Sequence, residues 1–279
     1  MNGLDRRALV SGAAAAMLAP WAAQTSSAWA ASPVSGKQAP GFYRFKVGDF
    51  EITIINEGAR SGPLRDGFVT NVGREQVLAA ADSAYMPKGQ VTVPFNAVAV
   101  NTGSKLVLID TGYGSGVSPP VGMLTANLAA AGIDTKDIDV VLISHFHPDH
   151  MDGLKASSGG PAFPRAEIKV PSLDWSFYMS DENMSRAPEG RVRGYFENSR
   201  KVLQGLTDRV TPYEWGKEVA PGIAAVGTPG HTPGHTSFAI SSGQGRLLVC
   251  RRKNSLRLAA PGSRSCGPPA TRHRAAMPG

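Results

Sequence analysis

The stretch that decides the fold is "VLISHFHPDHMDGL", residues 141–154. An apolar run typical of a buried strand leads directly into a segment dense in histidine and aspartate. The polar side chains of this segment are His145, His147, Asp149, His150 and Asp152. Imidazole and carboxylate groups are common protein ligands of divalent metal ions. The stretch therefore predicts a strand that ends in a metal site.

The spacing within this stretch divides the ligands into two sets. His145 and His147 stand two residues apart, so an extended segment directs both imidazoles to one side, where they can bind one ion. Pro148 ends the strand and turns the chain, so that Asp149 and His150 point to an adjacent position and can bind a second ion. Asp149 can also accept a hydrogen bond from water at the first ion and orient it, which makes Asp149 the candidate catalytic residue.

Two further histidines lie in a second short loop, "TPGHTPGHT". Of the six histidines in the chain, only His273 lies outside these two loops, and histidines without a shared role would be more scattered. His231 can complete a set of three nitrogens at the first ion. Three protein ligands and a water are typical of catalytic zinc sites, where the ion lowers the pKa of the water toward about 7 and so generates a hydroxide nucleophile. Ordinary loop histidines without a metal are the alternative.

The hydrophobic patterns elsewhere predict sheets joined both by hairpins and by helices. Strands are expected in "GFYRFKVGDFEITIINEG", "VTVPFNAVAVNTG", "KLVLIDTG", "AEIKVP" and "RLLV", and at both ends of "IAAVGTPGHTPGHTSFAI"; a helix is expected in "PVGMLTANLAAAGI". Residues 60–90 are polar, contain Gly and Pro, and give no clear assignment. The mixture predicts an α/β (α+β) fold in which sheets are sandwiched between helical layers.

Three segments carry more specific expectations. A helix in "RVRGYFENSRKVLQGL" should place one apolar face against the core, formed by Val192, Tyr195, Phe196, Val202, Leu203 and Leu206. The aromatic cluster in "PSLDWSFYMSDENM" is expected to belong to the core rather than to a pocket. Asp152 and Gly153 are expected to cap the helix that follows the histidine segment.

The net charge is concentrated at one end of the chain. The 279 residues include 29 basic and 22 acidic ones, a formal charge of +7. Residues 250–279 contain seven basic residues and no acidic ones, which accounts for the whole excess. Both cysteines, Cys250 and Cys266, also lie there, so the rest of the chain has neither a disulfide framework nor thiolate ligands. The candidate metal ligands are therefore histidines and carboxylates, and no nucleic-acid partner is expected.

Residues 1–30 are predicted to be a signal peptide. They contain Arg6-Arg7, an alanine-rich apolar stretch and the small-x-small site Ala28-Trp29-Ala30. The paired arginines favour the twin-arginine route and hence a periplasmic or secreted protein. A membrane anchor is the alternative, but the apolar run of residues 8–23 is short for a span of about 20 residues. Residues 31–249 would then form the folded domain, with no stable membrane anchor after cleavage.

These motifs resemble those of the metallo-β-lactamase superfamily, which is marked by a His-x-His-x-Asp-His run. "VLISHFHPDHMDGL" matches that run, "LVLIDTG" is similar to the family's strand with a structural aspartate, here Asp110, and "GTPGHTPGHTSF" is similar to the loop with the third ligand. "APGFYRFKVGDFEITIINEG" and "NTGSKLVLIDTG" resemble, more narrowly, the methyl parathion hydrolase group and its relatives, the N-acyl homoserine lactonases. The resemblance covers residues 39–249 and implies an αββα sandwich with a two-metal site at one edge.

The resemblance also assigns roles to the candidate residues. It implies that His145, His147 and His231 bind one ion and that Asp149 and His150 bind the other. His235 would then support or pack against the site without binding the ion. The implied cofactor is Zn²⁺, with two ions in intact members of the family and with Mn²⁺ or Fe²⁺ as alternatives.

The C-terminal end departs from the family pattern. The family has a bridging aspartate after the strand that follows the third-ligand loop, and a last histidine farther on. Here Cys250-Arg251-Arg252 stands at the first position, and nothing around His273 resembles the second. Residues 250–279 lack Val, Ile, Phe, Tyr and Trp, and such a segment cannot form a core. We expect a frameshift or truncation after Val249, followed by a disordered tail; a genuine basic tail that binds nucleic acid or anionic lipid is the alternative.

The resemblance implies an exported hydrolase that uses a metal-bound hydroxide on a small-molecule lactone, carboxyl ester or phosphotriester. The sequence does not predict the oligomeric state. One alternative is a catalytically inactive, truncated fragment of this fold that binds at most one ion. Another is a mononuclear iron oxygenase of the same fold, which needs two histidines and one carboxylate with open positions. The segments similar to methyl parathion hydrolase argue against the oxygenase.

Overall fold

The structure is a computed structural model that describes residue 36 and residues 39–250, except 67, 70, 71, 116, 118 and 119. The predicted signal peptide, residues 1–30, lies outside the described residues, and so does the predicted aberrant tail apart from Cys250. The elements given below all lie in a compact unit that begins at Pro40. No helix among the described residues has the length and apolarity needed to cross a bilayer.

A seven-stranded mixed sheet forms the larger layer, and its strand order follows the order of the sequence. The first four strands pair antiparallel and the last four pair parallel. The strands are β1 (Phe42–Val47), β2 (Phe50–Pro63), β3 (Gln90–Asn101), β4 (Leu106–Ile109), β5 (Val140–Leu142), β6 (Glu167–Pro171) and β7 (Val210–Tyr213). Because β4 to β7 run parallel, the segments that leave their carboxyl ends meet at one edge of the sheet.

A four-stranded antiparallel sheet forms the second layer, in the order β11-β10-β9-β8. Its strands are β8 (Glu218–Ala220), β9 (Ile223–Gly227), β10 (Thr236–Ser242) and β11 (Gly245–Val249). The strands expected from the sequence are confirmed in both sheets. The sequence did not predict β7 and β8, which are both short. Pro212 within β7 argues against a strand, but a proline is tolerated there because β7 lies at the edge of the sheet.

Six α-helices lie between the strands in the described part of the chain. They are α1 (Arg74–Ser83), α2 (Leu124–Ala130), α3 (Pro148–Met151), α4 (Ser172–Tyr178), α5 (Asp181–Arg186) and α6 (Arg191–Leu203). The expected helix before Gly132 is confirmed as α2, and Gly132 itself takes a left-handed φ of 76° just beyond the helix end. Helix α1 falls in the region that the sequence left unassigned.

Helix α6 confirms the predicted amphipathic helix with two corrections to its apolar face. Phe196, Val202 and Leu203 are buried as expected. Val192 is 45% exposed, because it lies in the first turn, before the helix reaches the core. Leu206 is buried but follows the last helical residue, so the chain beyond the helix carries it into the core.

The core between the sheets is built from the inner faces of both. The large sheet contributes alternate residues, such as Val107 and Ile109 of β4, and the small sheet contributes residues such as Phe238 and Ile240 of β10. Leu108, between the first two, faces the other way and packs with the helices. Strand β4 is therefore buried on both faces, which explains why its sequence is apolar throughout instead of alternating.

A helical layer covers the second face of the large sheet. Its apolar side chains come from α2, α4 and α6 and include Leu128, Tyr178 and Phe196. Trp175 and Phe177 pack against the same cluster, which confirms the expectation that this aromatic segment belongs to the core. All the extensive helix–strand contacts in the described part involve the large sheet. The predicted sandwich of two facing sheets is thus confirmed, with one helical layer formed by described residues.

Candidate metal centre

The first group of predicted ligands lies where β4 and β5 end side by side. The two strands pair in parallel with Ile109 opposite Leu142, and the backbone N–H of Asp110 donates to the carbonyl of Leu142 at 2.8 Å. Asp110 then takes a left-handed φ of 59°, a conformation that aspartate tolerates better than most residues. Its carboxylate accepts hydrogen bonds from the backbone N–H and the hydroxyl of Ser144, at 2.7 and 2.8 Å. The chain just before His145 is fixed in this way.

Residues 144–153 form what we call the first ligand loop. His147 is extended, with φ −113° and ψ 154°, and Pro148 begins the short helix α3. Pro148 suits this position because the first residue of a helix needs no N–H donor. Asp149 and His150 lie within that helix, so the predicted turn at Pro148 is confirmed. The side chains of His145, His147, Asp149 and His150 are all buried.

The expected capping role of Asp152 and Gly153 is wrong. Asp152 begins a 3-10 turn that continues the chain from α3, and its carboxylate accepts a hydrogen bond from the amide of Asn198 on α6 at 2.7 Å. Gly153 is required for a different reason. A Cβ atom on Gly153 would lie 2.0 Å from the carbonyl oxygen of Thr111, so only glycine allows this close approach of the two chain segments.

Residues 228–235, between β9 and β10, form the second ligand loop. At its neck, the backbone N–H of Thr228 donates to the carbonyl of His235 at 2.9 Å. Immediately beyond the loop, the N–H of Thr236 donates to the carbonyl of Ser144 at 3.0 Å, which ties the small sheet to the first ligand loop. His231 lies near the tip and is exposed, whereas His235 is 5% exposed.

The structure brings three of the predicted ligands together across the two loops. One ring nitrogen each of His145, His147 and His231 can be chosen so that all three lie within 4.8 Å of one another. Nδ1 of His147 lies 2.8 Å from Nε2 of His231, although the two residues are 84 positions apart in the chain. Such an arrangement of three nitrogens suits a single divalent ion with a further position for water.

The hydrogen bonds around His145 direct one of its nitrogens into this cluster. The single hydroxyl proton of Ser144 is donated to Asp110, because a carboxylate only accepts. The Ser144 oxygen, 3.0 Å from Nδ1 of His145, can then only accept a proton from that nitrogen. The neutral ring of His145 is therefore protonated on Nδ1 and presents a lone pair on Nε2. Supporting contacts of this kind commonly orient histidine ligands.

Two of the buried histidines, His145 and His150, have opposite shifts in pKa. Burial lowers the pKa of His145 well below its ordinary value of 6.5, and the nearby histidines lower it further, so the ring is neutral at pH 7. Burial also lowers the pKa of His150, but the charges of Asp110 and Asp149 outweigh it and the net pKa is raised. Nδ1 of His150 lies 2.6 Å from Asp110, and its Nε2 lies 3.0 Å from Asp149.

The donor set and its burial fit a divalent ion. Nε2 of His145 is buried and makes no hydrogen bond. Leaving a polar atom buried without a partner costs about 1–3 kcal/mol, and a metal ion would remove that cost. Neutral imidazoles are suitable ligands for zinc and related ions. The residues present therefore fit the metal that their sequence pattern predicts.

Asp149 and His150, the predicted ligands of a second ion, are less complete as a site. Their side chains are adjacent, as expected, with Oδ2 of Asp149 3.0 Å from Nε2 of His150. The cluster of three donors found among the described residues contains neither of them. The two-ion site thus stays a prediction, with its first half assembled more completely than its second.

His235 lies beside the three-histidine cluster without belonging to it. Its ring centroid is 4.9 Å from that of His145, and its Nδ1 lies 2.9 Å from the hydroxyl of Thr228. This placement agrees with a supporting role. The ring centroid of Tyr195, on α6, lies 4.2 Å from that of His147, so this partly buried residue packs beside the cluster.

Sequence reasoning missed Asp174, a carboxylate on α4 with no exposed surface. Burial raises its pKa, although hydrogen bonds from Gly234, Phe146 and Thr232 oppose that shift. In the sequence, Asp174 stands in a segment whose aromatic residues predict core, and nothing in its spacing relates it to the histidines. Its contacts become visible only once the two loops are in place.

Comparisons with known proteins identify relatives of the same architecture. The sequence profile described as "Metallo-beta-lactamase superfamily" matches residues 92–250. A ribonuclease of Thermus thermophilus is 28% identical over 177 residues, which is 56% of this chain and 36% of that protein. A probable metallo-hydrolase of Mycobacterium tuberculosis is 27% identical over 174 residues, which is 54% of each. The chain thus spans about a third to a half of the length of these two curated relatives.

Two solved structures have closely similar folds. AidC, described as a dizinc quorum-quenching lactonase in complex with the product N-hexanoyl-L-homoserine, has a TM-score of 0.69 and 25% identity, covering 75% of this chain and 73% of its own. AbOPH, described as a hydrolase in the beta-lactamase superfamily, has a TM-score of 0.68 and 27% identity, covering 76% of this chain and 74% of its own.

Proposed function

This chain belongs to the metallo-beta-lactamase superfamily, and from that premise we propose that it is a zinc-dependent hydrolase whose substrate is a small-molecule lactone. The observation that carries the proposal is the cluster of His145, His147 and His231, in which Nε2 of His145 is buried without a hydrogen-bond partner. Three imidazoles with space for water are typical of a catalytic rather than a structural ion.

The residues of the site have separate tasks in this proposal. His145, His147 and His231 would hold the ion, which would supply a Lewis acid and lower the pKa of a bound water to about 7. Asp149 is 4% exposed and lies against His150. A carboxylate at this position can accept a hydrogen bond from the attacking water, orient it and take up its proton. Tyr195 provides an apolar wall beside His147 against which the substrate can pack.

The choice of a lactone rests on similarity to AidC, whose bound product, N-hexanoyl-L-homoserine, is a ring-opened lactone. A carboxyl ester and a phosphotriester are the second and third choices, since the same ion and carboxylate can act on any carbonyl or phosphoryl centre that accepts water. Substrate class depends on the pocket walls, to which we expect residues 60–95 and 171–196 to contribute.

The proposal is tested by turnover of three substrates. The purified chain, loaded with Zn²⁺, is assayed with N-hexanoyl homoserine lactone, an aryl acetate and a dialkyl aryl phosphate. We expect the lactone to have the highest kcat/KM, with all activity lost in EDTA and restored by added Zn²⁺. Full activity in EDTA would refute the metal-dependent mechanism. Faster hydrolysis of the ester or the phosphate would replace the lactone but keep the mechanism.

An inactive fragment that binds a single ion is the second candidate. It is favoured by the three-donor cluster among the described residues, which includes neither Asp149 nor His150. We expect about one tightly held ion per chain, because two ligands alone bind an ion weakly. Elemental analysis after dialysis against a weak chelator measures this number, and two retained equivalents would contradict the expectation. One ion with no turnover would favour the fragment.

We also propose that the protein is exported and that its reading frame is interrupted after Val249. Replacing Arg6 and Arg7 by lysine should leave the precursor in the cytoplasm if the twin-arginine route is used, and the mature N-terminus should lie near Ala31. Accumulation of the double variant in the periplasm would point to the general secretory route. The nucleotide sequence beyond codon 249 should encode a Gly-Asp pair and a later histidine in another frame; their absence would refute the frameshift.

A further inference from the structure

One buried carboxylate is bonded to both ligand loops. Asp174 extends from α4, and its Oδ2 accepts a hydrogen bond from the backbone N–H of Phe146 at 3.0 Å and another from the hydroxyl of Thr232 at 2.8 Å. Its Oδ1 accepts a third from the backbone N–H of Gly234 at 2.5 Å. All the donors are part of one ligand loop or the other, and none is a candidate metal ligand.

The positions of these donors relative to the ligands are informative. Phe146 stands between His145 and His147 in the chain, so the orientation of its peptide sets the directions of both neighbouring imidazoles. Thr232 directly follows the exposed His231 in the second loop and is itself buried. The carboxylate of Asp174 therefore fixes the backbone next to each of the three histidines of the cluster.

The chemistry of the contact requires a carboxylate. All three partners are donors, and an ionised carboxyl group is the side chain that only accepts. Burying an ionised group is costly unless it is fully hydrogen-bonded, so three short bonds to two loops make the arrangement sustainable. The fit is also tight, because a Cβ atom on Gly234 would lie 2.6 Å from the backbone nitrogen of Asp174.

We infer that Asp174 is a positioning residue that clamps the second ligand loop to the first and thereby places His231 within reach of the ion held by His145 and His147. This inference rests on the proposed metal site and deepens it. The carboxylate acts through the backbone of the loops and touches neither ion nor substrate. Removing the carboxylate of Asp174 should weaken metal binding more than removing a carboxylate that accepts as many hydrogen bonds away from the ligand loops.

The fold offers a matched control in Glu57. This carboxylate is also fully buried and also accepts backbone hydrogen bonds, among them those from the N–H groups of Tyr113, Gly122 and Leu124 at 3.0, 3.0 and 2.7 Å. These donors lie outside both ligand loops. In Asp174→Asn and in Glu57→Gln, one oxygen is retained for two donors and an amide NH₂ faces the third. The two variants therefore carry the same local defect at different places.

The experiment titrates the metal-free full chain with Co²⁺ alone, whose visible absorption reports its ligands. We expect Asp174→Asn to bind Co²⁺ roughly 10–100-fold more weakly than the wild type, the usual range when a group that orients a ligand is lost. Its spectrum should shift toward that of His231→Ala. Glu57→Gln should lose thermal stability to a similar extent and keep both the affinity and the spectrum of the wild type.

A second pair of variants covers the case in which Asp174→Asn does not fold. Thr232→Val removes the hydroxyl donor and should weaken Co²⁺ binding, while Thr232→Ser keeps the donor and should restore it. Wild-type affinity and spectrum in Asp174→Asn, or in Thr232→Val if the first variant is unfolded, would overturn the clamp and leave the proposed function intact. A wild-type chain that binds no Co²⁺ would instead overturn the metal site and the clamp with it.

Discussion

The two ligand loops are held by different means. The first, residues 144–153, follows a strand buried on both faces, and Asp110, Asp174 and the close approach to Thr111 fix its backbone. The second, residues 228–235, connects two strands of the smaller sheet and exposes residues 228–231. Its fixed points are the hydrogen bonds at its neck and the bonds to Asp174.

The two loops therefore differ in what determines the positions of their histidines. The geometry of the first loop follows from the packing of the sheet, so its histidines should be in place without an ion. The second loop has an exposed histidine at the end of a Gly- and Pro-containing segment, and its position depends on a few side-chain contacts. Variants in the first loop should therefore affect both folding and metal binding, while variants near the tip of the second should affect metal binding alone.

The largest effect is expected when a first-loop ligand is removed. His147→Ala takes away one of the three clustered nitrogens, so the ion should no longer be held tightly and turnover should fall by more than the roughly 10–100-fold typical of losing a supporting group. Metal content after dialysis and kcat/KM measure the two effects. Unchanged turnover in this variant would rule out the assigned centre.

A smaller but still large effect is expected from the carboxylate that supports the first loop. In Asp110→Asn, an amide faces Ser144 and His150, and breaking a buried pair in this way costs about 3–5 kcal/mol of unfolding free energy. Asparagine tolerates the left-handed backbone at this position, so the effect can be attributed to the side chain. Urea unfolding of the metal-free chain measures it.

Asp139→Asn is the matched control for that variant. Asp139 also accepts a backbone hydrogen bond, from Leu106, but it pairs with Lys105 at a partly exposed site where the two side chains are 31% and 49% exposed. Such pairs contribute no more than about 1 kcal/mol. If both variants lost the same stability, the first loop would not depend on its buried network.

An intermediate effect should distinguish the two histidines of the second loop. His231→Ala should lose the tightly held ion while changing the stability of the metal-free chain by no more than about 0.5 kcal/mol, since surface substitutions are usually mild. His235→Ala removes a buried ring in contact with Thr228, so it should lose about 1–3 kcal/mol of stability but less metal affinity. The reverse pattern would make His235 the third ligand.

The smallest effect concerns the pH dependence set by Glu57, outside both loops. Burial raises its pKa above the ordinary 4.5, although backbone hydrogen bonds oppose the shift. The carboxyl group of Glu57 therefore binds its proton more tightly in the folded chain than in the unfolded chain. The stabilising contribution is present below pH 4.5 and is lost as the pH rises through the folded pKa.

The variant Glu57→Gln has no such proton. The unfolding free energy of the wild type relative to this variant should therefore fall with rising pH above 4.5, with a slope of at most about 1.4 kcal/mol per pH unit. Urea unfolding at several pH values measures the difference. A relative stability that rises with pH would mean that the backbone donors outweigh burial in setting the pKa of Glu57.

The sequence predicted the first loop better than the second for a physical reason. The ligands from His145 to His150 are contiguous, so strand geometry and one proline were enough to place them. The proximity of His147 and His231 depends on tertiary packing, and the sequence suggested it only indirectly, through the concentration of histidines in two loops and the family resemblance. The structure bears out that proximity, with 2.8 Å between ring nitrogens of the two residues.

Other features could not be read from spacing at all. Asp174 became important only because two loops fold onto it, and a lone aspartate in an aromatic segment has no periodicity to reveal that. Strand β7 contains a proline and strand β8 has three residues, so neither has enough pattern to predict pairing. The role of Gly153 was also missed, because its close contact with Thr111 joins segments that are distant in the sequence.

The hydrogen bond from Thr236 to the carbonyl of Ser144 has a consequence for the order of folding. Contacts between residues so distant in sequence form late, because closing a long loop costs entropy before it brings any gain. We therefore expect the three imidazoles to meet only after the two sheets have docked, unlike a zinc finger, in which the metal drives folding. A growing chain should not bind zinc tightly until β10 has been synthesised. The onset of zinc binding should therefore coincide with the assembly of the two sheets.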